Sequence, residues 1–243
     1  MEKPNILFIM TDEQRFDGVG YRNREVATPN LDKLQKDSVD FTRAYTSNPS
    51  CIPARAAIFT GRYPSQCGAP GYMTALPERE TTFMSLLQEG GYHTAVVGKQ
   101  HFWNSRIVRG YDYEDIVDEH EPPEVISPEM GEDYFGLPAN KTTAPTVSSY
   151  VKYLYDHGFR RGRELYRQVN EKGIYEFFGD EKFYVDTYIG NRGLEWLEKR
   201  RPEHQPWFLT LSFPGPHMPF DGLGLPDSSV YEAEDLSVPD TTV

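Results

Sequence analysis

Asn5-Ile6-Leu7-Phe8-Ile9-Met10 is a short, continuous apolar run that ends in the polar Thr11-Asp12-Glu13-Gln14. Such a run predicts a buried strand that delivers polar side chains at its C-terminal end. His93-Thr94-Ala95-Val96-Val97 repeats the pattern and empties into Gly98-Lys99-Gln100-His101, and Trp207-Phe208-Leu209-Thr210-Leu211-Ser212-Phe213 runs into Pro214-Gly215-Pro216-His217. Ligand sites in open α/β sheets lie outside the carboxyl ends of strands. An α/β fold is therefore expected, with Asp12, Lys99, His101 and His217 gathered along one sheet edge.

The segments between these runs supply the helices. Thr28-Pro29-Asn30 pairs a capping residue with a proline suited to a first helical position, and Leu31 and Leu34 share one face of the helix it starts. Val39-Asp40-Phe41-Thr42-Arg43-Ala44 alternates like a further strand. After the loop Ser47-Asn48-Pro49-Ser50, residues 53–60 read as helix, so Cys51 is expected at or just before a helix N-terminus, a position that favours negative charge. A helix is expected from Thr81 to Glu89, ending at Gly90-Gly91, and an amphipathic one from Val185 to Lys199. No internal repeat occurs, and the region from Asp112 to Gly179 is too irregular to assign.

A chain of 243 residues can form one large domain, since single cores stop growing near ~250–300 residues. Its net charge of −12 excludes a general nucleic-acid binder, which needs surplus Lys and Arg on one surface. The acidity is local: ten carboxylates and no Lys or Arg lie between Tyr111 and Asn140, a stretch interrupted by Pro122, Pro123 and Pro128 and expected to be a solvated excursion. Only two cysteines occur, Cys51 and Cys67, and no charged-then-apolar leader precedes Asn5, so the expected location is the cytoplasm and the Asn140-Lys141-Thr142 tripeptide has no expected consequence. No apolar run approaches the ~20 residues a membrane span requires, so no membrane partner is expected.

Cys51-Ile52-Pro53-Ala54-Arg55, continued through Gly61-Arg62-Tyr63-Pro64, resembles the signature of the type I sulfatases, members of the alkaline phosphatase-like superfamily. In that family the cysteine of C-x-P-x-R is oxidised to formylglycine by a separate enzyme. Cys51, Pro53 and Arg55 match the signal, while Ala54 stands where serine is commoner. Other landmarks follow in order: the strand ending in Asp12, the Thr28-Pro29-Asn30-Leu31-Asp32 helix start, Gly98-Lys99-Gln100-His101, and Phe213-Pro214-Gly215-Pro216-His217-Met218-Pro219. The resemblance spans residues 4 to about 220.

It implies a mixed sheet flanked by helices and a metal-dependent hydrolysis of sulfate esters by a formylglycine derived from Cys51. The hydrated aldehyde presents two hydroxyls; one attacks sulfur, and the second expels sulfate and regenerates the aldehyde. By resemblance, Asp12, Glu13 and the modified Cys51 ligate a divalent metal. Ca²⁺ is expected first and Mg²⁺ second, because the donors are hard oxygens. Arg55 holds the diol and metal-side oxygens, and Lys99 bridges the nucleophile and a sulfate oxygen. His101 takes the proton when sulfate is eliminated, and His217 contacts sulfate near the leaving oxygen. The implied partners are a small-molecule or glycan sulfate ester and the formylglycine-generating enzyme.

Cys67, His93, His120, His157 and His204 are expected to be structural or exposed. Asp156-His157-Gly158 imitates a metal-binding element of the family, but Val151, Leu154 and Tyr155 precede it in helical spacing, so no metal role is assigned. No Asp-Asn or Asp-His pair follows a buried strand after His217. Residues 1–243 are therefore expected to be the N-terminal part of one catalytic domain, truncated at the C-terminus and lacking the smaller C-terminal domain. The alternatives are a phosphonate monoester or phosphodiester hydrolase of the same superfamily, and an inactive truncated remnant.

Overall fold

The structure is a computed structural model that describes residues 3–72, 74–101, 110–117, 126, 148–170, 174–218 and 220–223. His120, most of the acidic tract, Asn140 and the stretch from residue 224 onward lie outside the described residues.

Four strands, β1 (Ile6–Met10), β2 (His93–Gly98), β3 (Tyr113–Ile116) and β6 (Trp207–Ser212), form the principal sheet in the order β1-β6-β2-β3. Every pairing in it is parallel. Mixed pairing occurs in a second sheet, where β5 (Ile174–Phe177) runs antiparallel to β4 (Tyr166–Asn170) and parallel to β7 (Phe220–Leu223). In the principal sheet Met10 and Gly98 both register with Ser212. Three strands thus end at one level, and whatever follows them is delivered to a single edge.

Helices cover both faces. On one face α2 (Cys51–Thr60) and α3 (Phe83–Glu89) pack through Ala56, Phe59 and Met84 against Phe8, Val96 and Phe208. On the other, α5 (Val185–Lys199) packs on β2 and β6, its Ile189 and Trp196 sharing a core with Ala95, Val97 and Leu209, and α4 (Ser149–Asp156) adds Leu154 to that core and sets Tyr150 against Tyr188 of α5. The opposite facing of Val96 and Val97 is the period of two of a strand, and both faces are apolar because both carry helices. Thr82 caps α3 reciprocally with Ser85.

Several expectations need correction. The apolar run of β1 implies a buried strand, but Leu7 is 43% and Ile9 53% exposed, because β1 lies at the sheet edge and α5 covers β2 and β6 instead. Residues 39–44 alternate correctly yet form no strand, with Val39 80% and Phe41 75% exposed; alternation without a ladder partner does not hold an extended segment. The first helix, α1 (Pro29–Gln35), forms with Pro29 in its first turn, but buries no residue, so Leu31 and Leu34 face outward. The acidic stretch is not wholly solvated. Tyr113–Ile116 is β3, and the buried Asp115 accepts hydrogen bonds from Arg192 Nε and the Ser149 hydroxyl. The unassigned region also contains α4, β4 and β5. The helical spacing before Gly158 is α4 itself; Asp156 pairs with Lys152 and His157 Nδ1 lies 2.8 Å from Tyr153 O, both at the surface.

Among the described residues, no helix is long and apolar enough to cross a membrane.

Candidate active site

Cys51 is the first residue of α2, and Ser50 is the N-cap. The helix begins two residues earlier than Pro53, so the partial positive charge of its N-terminus falls on Cys51 itself. Two turns of packing orient the rest of the segment: Ile52, Pro53, Ala56 and Phe59 are buried, and Arg55 is buried with them.

Arg55 reaches all three strand ends. Its Nη1 donates to the Lys99 carbonyl at 2.7 Å and to Ser212 Oγ at 2.9 Å, and Nη2 donates to Asp12 Oδ2 at 3.2 Å. Only a planar guanidinium with several fixed donors can serve three acceptors in this way. Lys99 is wholly buried, and its Nζ lies 2.7 Å from the same Asp12 Oδ2. Ser212, absent from the expected site residues, holds the guanidinium on the β6 side; its one signal in the sequence was a polar residue closing an apolar strand.

The backbone draws these ends together. Lys99 N donates to Ser212 O at 2.8 Å, and Asp12 N donates to Gly215 O at 3.0 Å. Gly98 adopts φ +97, and a Cβ there would stand 2.0 Å from Ser212 O, so only glycine permits this approach of β2 and β6. Glu13 and His101 are the only non-glycine residues with positive φ among the described residues, at 58 and 55. Both belong to the expected site, where strained backbone tends to concentrate.

The electrostatics follow from burial and from two cations beside one carboxylate. Burial pushes the Asp12 carboxyl up, but Lys99 and Arg55 outweigh it and hold the group below the usual carboxylate range. Burial brings the Lys99 ammonium down, against the opposing pull of Asp12. The Cys51 thiol is pushed up, first by burial and then by Asp12, although Lys99 favours the thiolate. His101 is brought down to about 3 by burial and by Lys99 and Arg55, so it is a neutral imidazole near pH 7.

Asp12, Cys51, Arg55, Lys99 and His101 are thus brought together. Glu13 and His217 stand beside this group: Glu13 Oε2 is 3.9 Å from His217 Nε2, and His217 Nδ1 lies 2.5 Å from Met218 O. Glu13 is half-exposed while Asp12 is buried, so the two carboxylates face different surroundings. Among the described residues, no group of three or more His, Cys, Asp or Glu is placed to hold a metal ion by itself. A groove of about 450 Å³ lined by Ile58, Arg62, Glu80 and Leu86 opens at the other end of α2 and takes in none of these residues.

The model of the Sulfatase family matches residues 4–235. The arylsulfatase of Clostridium perfringens is 30% identical over 98% of this chain and 48% of its own length. A protein crystallised with a neocarrahexaose is 26% identical, with a TM-score of 0.60 over 90% of this chain and 46% of that one. The phosphonate monoester hydrolase of Agrobacterium radiobacter shares the fold, with a TM-score of 0.72 and 20% identity over 97% of this chain and 45% of that one. The chain spans less than half the length of the curated relatives with which it aligns most fully.

Proposed function

The chain belongs to the sulfatase family, and from that premise we propose that the whole protein hydrolyses sulfate esters with a nucleophile made from Cys51. The observation that carries the reading is the place of Cys51: first residue of α2, within electrostatic reach of Asp12, Lys99 and Arg55, with a thiol held protonated. A protonated, partly buried thiol is a weak nucleophile. Conversion to formylglycine by a formylglycine-generating enzyme replaces it with an aldehyde whose hydrate carries two hydroxyls. One hydroxyl attacks sulfur as the bond from sulfur to the alcohol oxygen breaks. Loss of the other hydroxyl's proton then expels sulfate and restores the aldehyde.

The side chains fit these steps. Lys99 and Arg55 place two positive charges against the single Asp12 carboxylate, and the surplus suits the non-bridging oxygens of a sulfate. His101, neutral near pH 7, can take the proton whose loss releases sulfate. His217, at the turn after β6, is assigned to the leaving oxygen, which must gain a proton as it departs.

Asp12, Glu13 and oxygens on modified residue 51 are hard donors of the kind Ca²⁺ and Mg²⁺ prefer, and they would supply part of the coordination shell. The chemistry such a cation would supply is Lewis acidity, which would ease the ionisation of a hydroxyl on residue 51.

A small-molecule or glycan sulfate ester is the proposed substrate class, in keeping with the arylsulfatase and the neocarrahexaose-bound protein among its relatives. The test is peptide mass spectrometry of the full-length protein co-expressed with a formylglycine-generating enzyme, with rates on aryl sulfate and aryl phosphonate measured on the same sample. Aldehyde at position 51 and faster aryl sulfate turnover are expected. Full activity with residue 51 still a thiol would overturn the nucleophile, and faster phosphonate turnover would overturn the substrate class.

A further inference from the structure

Tyr72 belongs to no step above, yet it borders the same group of side chains. Its ring centroid lies 6.4 Å from that of His101, with the planes at 85°, so the two rings make a corner. Tyr72 also interacts electrostatically with Cys51. His101 is buried and Cys51 half-buried, whereas Tyr72 remains 37% exposed. From the nucleophile outward, then, this aromatic ring leads from the charged floor toward solvent.

The segment that carries the ring is anchored. Ala69 and Leu76 are buried on either side of it in the chain, anchoring the segment at both ends. Between them a turn is closed by Gly71 N donating to Thr74 Oγ1 at 3.1 Å and Thr74 N donating to Gly71 O at 3.2 Å. An exposed aromatic is ordinary by itself, and Phe16 and Tyr63 are more exposed than Tyr72. What distinguishes Tyr72 is its ring set at right angles to that of His101 on a turn between two buried anchors, because an aromatic face with little freedom to lose binds a flat partner at small entropic cost.

Resting on the sulfate-ester reading, we propose that Tyr72 is the wall of a leaving-group subsite. That subsite takes the face of a six-membered ring, aryl or pyranose, in preference to an acyclic alkyl group. The sulfate is held by charge, and the ring that bears it packs on Tyr72.

The experiment is calorimetric titration of the full-length protein carrying Cys51→Ala, which has no hydroxyl to attack sulfur and so binds without turnover, with 4-nitrophenyl sulfate, glucosamine 6-sulfate and butyl sulfate. Adding Tyr72→Ala should weaken one or both ring esters about tenfold, and butyl sulfate by less than about twofold. Tyr72→Phe should keep all three within about twofold, since the ring remains. A loss confined to one ring ester identifies the ring class. Equal weakening of all three esters, no weakening of any, or no binding of any ester to the Cys51→Ala protein overturns the proposal. Ring binding that depends on Tyr72 in a formylglycine-bearing enzyme that releases no sulfate would instead overturn the sulfatase reading and leave the subsite standing.

Discussion

Lys99 Nζ stands 2.7 Å from Asp12 Oδ2, joining the ends of β1 and β2, two strands separated by β6 that do not pair with each other. Arg55 approaches the same oxygen from α2 at 3.2 Å. One buried carboxylate thus anchors two cations, and the positive charge left over is a structural liability.

Replacing that carboxylate should unbalance the site. Asp12→Ala leaves Lys99 and Arg55 facing each other in a dry environment, and breaking a buried ion pair from one side costs roughly 3–5 kcal/mol. Urea titration should show a loss of that size, together with loss of metal-dependent turnover in the full-length enzyme. A variant within about 1 kcal/mol of wild type would mean that the pair is more hydrated than its burial implies.

Arg55→Lys keeps the charge and discards the fork. A lysine ammonium cannot reach Lys99 O, Ser212 Oγ and Asp12 Oδ2 together, so at least one buried acceptor is left unsatisfied, at roughly 1–3 kcal/mol. Thermal denaturation is the check, and an unchanged midpoint would show that charge alone suffices.

The depressed His101 pKa predicts acid sensitivity with a defined sign. The folded state resists protonation down to about pH 3, whereas an unfolded histidine takes a proton near 6.5. The unfolded state therefore binds more protons between these values. Stability from this residue is fully present above pH 6.5 and lost as pH falls toward 3, at up to about 1.4 kcal/mol per pH unit. Denaturant titrations across this range should give a shallower slope for His101→Gln than for wild type; parallel curves would exclude the residue as the source.

In unconverted protein, Cys51 should alkylate slowly. Burial holds its pKa above the ordinary 9.0 of a free thiol, so the iodoacetamide rate should still be rising at pH 9. A rate that levels off by pH 7 would reveal a thiolate and count against the need for oxidation.

Gly98→Ala should be the most damaging small change in the sheet. The backbone conformation at φ +97 and the 2.0 Å approach of a Cβ to Ser212 O leave no relaxed arrangement, and a loss of about 3 kcal/mol or more is expected. Wild-type stability in this variant would mean that the β2 and β6 ends separate freely.

What the sequence determined by itself was local or carried by short spacing. The apolar runs at Ile6–Met10, His93–Gly98 and Trp207–Ser212 became strands, Val185–Lys199 became a helix with those bounds, and Cys51 opened a helix. Each is readable because periodicity and capping act within a few residues. Tertiary structure decided everything that depends on which surface finds a partner. Val39 and Phe41 alternate as well as any strand and remain exposed, while Asp115, in an acidic stretch that looked solvated, is buried because Arg192 and Ser149 reach it from α5 and α4. Ser212 and Tyr72 carried almost no signal, since their importance lies in Arg55, His101 and Cys51, which are far away in the chain. Side-chain type and spacing announce a chemistry, but burial, and with it the pKa of each group and the partner of each charge, is a property of contacts that no local stretch of sequence contains.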